Sequence, residues 1–274
     1  MLVIEAQGMR MPKLGLGTWR MSGRACTEAV AGALARGYRH LDTAQMYGNE
    51  AEVGAGVAAG GVPRDEIFIT TKVGASNLAP DALRRACDAS LKALKTGHID
   101  LYLIHWPTAT MDLRATLAAM VKLREQGAVR HIGVSNFTVA LMRQAIEEIG
   151  APVACNQVEY HVQLGQSRVL AYARGRNVAI TAYCPLGRGE LGNNVALARI
   201  AKKHGATAAQ VALKWLLDQD GVAAIPKASR PENQQANLDA LKISLDDADR
   251  AAIAALPKNE RLVNVSFPAW DPAD

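Results

Sequence analysis

Apolar positions recur along this chain in two alternating rhythms. Short runs rich in β-branched residues give way, after a polar loop, to stretches with apolar positions three and four apart, the periods of a strand and of an amphipathic helix. The first rhythm predicts strands at residues 14–19, 39–43, 67–73, 99–106, 129–135, 153–160, 179–183 and 222–226. The second predicts a helix capped by Thr27 and running to Arg36, closed by Gly37, and one beginning near Asn49. Further helices are predicted at 80–95, 113–126, 138–149, 166–176, 194–219 and 231–241, with an extra one at 245–256. Ahead of the first unit, two extended pieces around Gln7 and Gly8 predict a β-hairpin.

Repeated strand-then-helix units imply parallel pairing with right-handed crossovers, and eight of them in a chain of 274 residues match a closed (β/α)8 TIM barrel. A doubly wound open sheet is the rival. Its nucleotide fingerprint has one candidate here, Gly54, Gly56 and Ala59, which falls inside a helical pattern instead of at a strand-to-helix turn. The barrel is therefore the expected α/β fold, as a single domain over residues 1–274 with an N-terminal hairpin cap.

Composition narrows the class. A chain that is 49% hydrophobic and 21% charged can bury a substantial core, so disorder is not expected. The net charge of +5 is spread along the chain and forms no nucleic-acid stripe; it suits a small anionic ligand better. Cys26, Cys87, Cys155 and Cys184 lie far apart with no Cys-x-x-Cys spacing, and the six histidines show no His-x-His or His-Glu-x-x-His spacing. No disulfide framework and no metal site is expected. The first residues lack the pattern of a secretion signal and no run of about 18 apolar residues occurs, so a cytoplasmic protein without membrane contact is expected, acting as a monomer.

In a barrel of this kind chemistry collects at the C-terminal ends of the strands. The polar residues there are Asp42 and Tyr47, Lys72, His105, Ser135 and Asn136, Asn156 and Gln157, Tyr183, and Lys227. An acid, a phenol, a lysine and a histidine at one mouth suit proton donation to a carbonyl. A free phenol near pKa 10 is a weak acid at neutral pH, and an ammonium beside it favours the phenolate. Lys72 would be that ammonium, lowering the pKa of Tyr47, with Asp42 keeping it charged and a neutral His105 orienting the substrate oxygen. None of these groups delivers two electrons, so a bound cofactor must.

These residues resemble those of the aldo-keto reductase family over nearly the whole chain. The matching runs are Gly-Leu-Gly-Thr-Trp at 15–19, His-Leu-Asp-Thr-Ala at 40–44, Tyr-Gly-Asn-Glu at 47–50 and Ile-Thr-Thr-Lys at 69–72. They continue as Asp-Leu-Tyr-Leu-Ile-His-Trp-Pro at 100–107, Ile-Gly-Val-Ser-Asn-Phe at 132–137, Asn-Gln-Val-Glu-Tyr at 156–160, Tyr-Cys-Pro-Leu-Gly at 183–187 and Ile-Pro-Lys at 225–227. The resemblance implies NAD(P)H-dependent carbonyl reduction with Asp42, Tyr47, Lys72 and His105 as catalytic residues and Tyr47 as the general acid. It further implies that Ser135, Asn136 and Gln157 hold the nicotinamide carboxamide, that Tyr183 stacks on its ring, that Thr18 and Asp42 reach the ribose, and that Leu186 and Gly187 line the pyrophosphate.

At the adenosine end Lys227, Ser229 and Arg230 suit a 2′-phosphate, with Asn237 nearby, although Asn233 and Ala236 replace the arginine and glutamate usual in the family. Cys184 and Arg188 likewise replace serines. The substrate pocket is expected between Trp19, Tyr47, His105, Trp106 and a short tail ending near Trp270 that folds over the mouth. That tail resembles the one in bacterial 2,5-diketo-gluconate reductases, which makes a small dicarbonyl such as methylglyoxal, or a keto-sugar acid, the first expectation and generic aldehydes, aromatic ones included, the second. A barrel that binds cofactor without turnover is the alternative from another class. The anion site implies NADPH as cofactor: catalytic efficiency with NADPH should exceed that with NADH, and equal efficiencies would refute the assignment of Lys227, Ser229 and Arg230.

Overall fold

The computed structural model describes residues 2–265 and residue 270. Strands β1 (Val3–Ala6) and β2 (Met9–Pro12) form the antiparallel hairpin, with Ile4 opposite Met11. Its two turn residues, Gln7 and Gly8, both have positive φ, 48° and 74°, the turn whose twist matches that of the flanking strands.

Eight parallel strands follow: β3 (Leu16–Gly17), β4 (His40–Asp42), β5 (Phe68–Val73), β6 (Ile99–Ile104), β7 (Val129–Ser135), β8 (Val153–Glu159), β9 (Ala179–Tyr183) and β10 (Val222–Ala224). They pair in sequence order. The sheet curls until its first and last members meet, where Leu14 bridges Ala224 and Gly17 bridges Lys227 in parallel, consistent with a (β/α)8 arrangement. The intervening helices are α1 (Gly23–Ala35), α2 (Glu50–Ala59), α3 (Pro80–Leu94), α4 (Leu113–Glu125), α5 (Val139–Arg143), α6 (Ser167–Gly175), α7 (Val195–Lys203), α8 (Ala208–Leu217), α9 (Pro231–Asp239) and α10 (Asp247–Ala254). No helix among the described residues is long and apolar enough to cross a membrane.

Side chains alternate across each strand, and the two faces have different fates. Outward residues such as Leu41, Ile69, Ile104, Val134 and Ile180 join the apolar layer under the helices. Inward residues at the lower end, Phe68, Leu101, Leu103, Cys155, Ala179 and Ala223, pack with Ile4, Ala6, Met9 and Met11 of the hairpin. The hairpin is thus a floor that closes the apolar end of the curled sheet, and the polar inward residues lie above it.

Several predicted boundaries shift. The first helix starts after Ser22, not at Thr27, whose hydroxyl instead donates to the carbonyl of Glu52 at 3.3 Å. The predicted helix 194–219 is two helices: Gly205 takes φ 59° and Thr207 starts α8 with a capping box to Gln210. Apolar spacing carried across that break and hid it. After α5 the chain widens into a π-helical turn, Gln144–Glu148. The strands expected at 14–19 and 222–226 are short because their outer residues meet only at the seam, through the isolated bridges.

That seam depends on a glycine. A Cβ at Gly17 would lie 2.5 Å from the carbonyl oxygen of Ile225, a backbone atom that cannot swing away. Gly17→Ala should therefore cost roughly 1–3 kcal/mol of folding stability, the usual range for overpacking, read as a lower urea midpoint with unchanged m-value. An unchanged midpoint would mean that the seam yields freely.

Candidate active site

Asp42 ends β4 and Lys72 lies one residue from the end of β5, and the period of two turns both inward. Neither has meaningful exposure, 1% and 0%. The ammonium donates to Asp42 Oδ1 at 2.5 Å, to the carbonyl of Thr43 at 2.8 Å and to the Tyr47 hydroxyl at 3.3 Å, so all three protons are used. Burial alone pulls the pKa of Lys72 down, but Asp42 and then Tyr47 oppose it and the net direction is up. Lys72 is a buried, charged ammonium.

Tyr47 runs against the expectation drawn from Lys72 alone. Desolvation of its hydroxyl is the largest influence and raises its pKa; Lys72 lowers it, the Asp42 carboxylate pushes the same way as burial, and the net direction is up, so the phenol is a weaker acid than usual here. Its ring is half-buried and meets Trp19 at 4.8 Å and His105 edge-on at 5.6 Å between ring centroids.

The short turn Gln45–Tyr47 that presents this phenol is clamped from both sides. Gln45 Oε1 accepts from the backbone N–H of Gly74 and from Asn77 Nδ2, both at 3.1 Å. Asn49, fully buried, donates to the carbonyls of Thr18 and Met21 at 2.9 Å and accepts from the Thr43 hydroxyl at 2.8 Å. Glu50 accepts from Thr71 at 2.6 Å and from Ser90 at 3.1 Å. Asn49 reads from sequence as a helix start, yet its side chain makes no cap bond; it ties the loops after β3 and β4 together.

His105, at the top of β6, is buried with its Nδ1 lacking a hydrogen-bond partner among the described residues. Burial, aided by Lys72, pushes its pKa down to about 3, so the ring is neutral. It stacks near Trp106, which meets Trp270 at 6.2 Å, and the Arg261 guanidinium lies 4.1 Å above the Trp270 ring. Trp19 thus lies against the phenol and Trp106 beside His105, with Trp270 one ring further out against Trp106. Residues 266–269 of the expected tail lie outside the described residues.

Several of the remaining expected residues join this network through hydrogen bonds. Gln157 gives its amide N–H to Asp42 Oδ2 at 2.7 Å, which leaves its side-chain oxygen as the atom that can accept from a ligand. Ser135 donates to the Gln157 carbonyl at 2.8 Å. Asn136, in the left-handed region at φ 63°, donates to the His105 carbonyl and to Ser135 Oγ at 3.0 Å and accepts from the Tyr183 hydroxyl at 2.8 Å, so both amide protons are used and Oδ1 keeps one lone pair for a ligand. The Thr18 hydroxyl donates to the Asp42 carbonyl at 2.9 Å. Leu186 and the buried Gly187, φ 53°, form the turn after β9. Lys227, Ser229 and Arg230 are exposed just before α9, with Lys227 Nζ 3.3 Å from Ser229 Oγ. Asn237 is the outlier: it is buried on α9, where the Tyr38 hydroxyl donates to the Gln234 carbonyl at 3.1 Å. Among the described residues no cluster of His, Cys, Asp and Glu is arranged to hold a metal ion.

Comparison with known proteins bears on this constellation. A model of the aldo/keto reductase family matches residues 13–258. Methylglyoxal reductase DkgB of Escherichia coli O157:H7 is 42% identical over 268 residues, covering 96% of this chain and all of that protein. An aldo-keto reductase of Mycolicibacterium smegmatis is 41% identical, with 93% of each chain covered. A crystal structure described, provisionally, as a 2,5-diketo-D-gluconic acid reductase B superposes with a TM-score of 0.96 at 40% identity, covering 99% of this chain and 98% of that one.

The depressed pKa of His105 carries a stability consequence. Between its ordinary value of 6.5 and about 3, the unfolded chain binds a proton that the folded chain refuses, so stability rises with pH across that window and is lost as pH falls through it. One such proton corresponds to about 1.4 kcal/mol per pH unit. His105→Asn should therefore flatten the loss of stability on acidification from about pH 6 to about pH 4 by roughly that slope, measured by urea unfolding at each pH. An identical slope in both proteins would show that His105 takes up its proton without unfolding.

Proposed function

The chain belongs to the aldo/keto reductase family, and on that premise we propose that it reduces a carbonyl to an alcohol with NADPH, Tyr47 giving the proton. The observation that carries this reading is the inward-facing row of Asp42, Lys72 and Tyr47, in which one buried ammonium touches both the carboxylate and the phenol. The carbonyl oxygen gains negative charge as its carbon is reduced, and a phenol beside an ammonium can give up a proton at that moment because Lys72 stabilises the phenolate left behind. Lys72 supplies this help without a titration of its own, since Asp42 keeps it charged. The neutral His105 donates a hydrogen bond to the same oxygen and orients it.

The chemistry of the donor set fits the cofactor. Exposed Lys227, Ser229 and Arg230 at the start of α9 suit a phosphate ester, with Arg230 serving where the family usually has an arginine and this chain has Asn233. Gln157, Ser135 and Asn136 offer amide and hydroxyl groups for the nicotinamide carboxamide, Tyr183 a ring face beside it, Thr18 and Asp42 contacts to the ribose, and Leu186 and Gly187 a turn for the pyrophosphate. NADPH, when bound, supplies the hydride.

For substrate, the relatives' names offer two related carbonyls. Methylglyoxal carries two adjacent carbonyls, each of which makes the other a better hydride acceptor, and 2,5-diketo-gluconate carries two ketones on a short polar acid chain. A small dicarbonyl or keto-sugar acid is therefore the proposed class. Simple and aromatic aldehydes form a second class, favoured by the half-exposed Trp19 ring and the half-buried Trp106 at the lip. The complete arrangement proposed is a (β/α)8 barrel with the C-terminal segment over its mouth.

Consumption of NADPH on adding methylglyoxal should fall by about 10²–10⁴-fold in Tyr47→Phe, the usual size of a general-acid contribution, while NADPH binding measured by fluorescence persists. Equal consumption by both proteins would remove Tyr47 from the reaction. No turnover by the wild type across a carbonyl panel, with NADPH still bound, would favour a binding barrel without catalysis.

A further inference from the structure

Glu159 closes β8 two residues beyond Gln157, so the strand turns both inward, and its register partner on β9 is Tyr183. The side chain has no exposed surface, and the proposed proton transfer makes no use of it. Both carboxylate oxygens are nonetheless engaged, and mostly by the backbone of the C-terminal segment. Oε1 accepts from the backbone N–H of Leu262 at 2.7 Å and from His161 Nε2 at 3.1 Å; Oε2 accepts from the backbone N–H of Val263 at 2.8 Å. His161 Nδ1 accepts from the N–H of Gln163 at 3.3 Å, which assigns the ring proton to Nε2 and lets a neutral imidazole donate to the carboxylate.

The same stretch of tail is laid along the loop after β8. Leu164 bridges Asn259 antiparallel, the N–H of Gly165 donates to the Lys258 carbonyl and that of Glu260 to the Gln163 carbonyl, both at 2.9 Å. The ladder ends on Glu159. Between its last rungs sits Arg261, whose guanidinium covers the Trp270 ring at 4.1 Å, and Trp270 in turn meets Trp106 beside His105. A path of direct contacts therefore runs from the buried carboxylate to the aromatic wall of the site.

We propose that Glu159 is a positioning residue for the substrate: its carboxylate grips Leu262 and Val263 and thereby holds Arg261 and Trp270 against Trp106. This deepens the reductase reading and rests on it. Two successive backbone N–H groups converge on two oxygens, an arrangement that a carboxylate satisfies and a carboxamide does not, because its NH₂ would face an N–H. The group acts through the tail, not on the carbonyl, so substrate affinity should depend on it more than the chemical step does.

The test pairs a measurement that needs no turnover with one that does. In native wild-type protein the peptide bond after Arg261 should resist trypsin, and in Glu159→Gln cleavage there should be on the order of tenfold faster, tracking the open population of the tail. With methylglyoxal, Glu159→Gln should raise KM about tenfold while kcat changes less than about threefold and the NADPH Kd stays put. Leu262→Pro, which deletes one donor and leaves the buried carboxylate in place, should reproduce the KM rise, and Glu159→Gln combined with Trp270→Ala should be no worse in KM than the worse single variant. Unchanged trypsin sensitivity would overturn the grip, whatever the activity. A loosened tail with unchanged KM would overturn the positioning role, as would a joint fall of kcat and NADPH affinity, which marks general damage. Absence of wild-type turnover would instead sink the reductase reading, and the trypsin arm would still decide whether Glu159 holds the tail.

Discussion

An ammonium with no exposed surface has to bring its counter-charge with it. Lys72 sits in that position, and most of the upper half of the molecule is arranged around it. A buried charge left without its partner costs roughly 3–5 kcal/mol, a large share of the stability of an ordinary domain. Asp42 must therefore be on the adjacent strand, facing the same way, with β4 and β5 in the register that pairs Asp42 with Thr70. Slipping either strand by one residue would turn one member of the pair out among the helices. The same requirement draws in Gln157, which occupies the second oxygen of Asp42, and Tyr47, which takes the third proton of Lys72. A charge that had to be satisfied for folding is also the charge that the proposed chemistry leans on.

Around this pair the inward face grades from apolar to polar. On β5 the inward sequence is Phe68, Thr70, Lys72; on β6 it is Leu101, Leu103 and then His105 beyond the strand. Each strand thus contributes to the packed lower interior and to the polar rim with the same two-residue period. Outward residues do a different job, burying the helices, so substitutions on the two faces have separable effects. The loops add what strands cannot, a lateral tie between neighbours, and Asn49 with three hydrogen bonds is the clearest example.

Much of this was legible before any coordinates. Strand periodicity located Asp42, Lys72, His105, Gln157 and Tyr183 at strand ends, and parallel βα repetition implied that those ends converge. What escaped depends on partners distant in sequence. Thr27 has the chemistry of a cap but bonds to Glu52, and the break at Gly205 falls where apolar spacing continues undisturbed. Asn49 does precede α2 as expected, but its side-chain bonds to Thr18, Met21 and Thr43 leave no local signal. The net pKa of Tyr47 depends on how far its hydroxyl is desolvated, which no local pattern encodes. Glu159 does carry a local signal: it lies two residues after Gln157, so the two share a face of β8.

The hairpin floor has a consequence for solvent. Met9, Met11 and Ile4 stopper the lower interior with apolar side chains, so the polar rim communicates with bulk water through one end only. Any molecule seated in the mouth then stands between Lys72 and the bulk, and filling the site and lowering the local dielectric become one event. The field of the ammonium at its neighbours is strongest when the well is full, which is when a developing negative charge would need it.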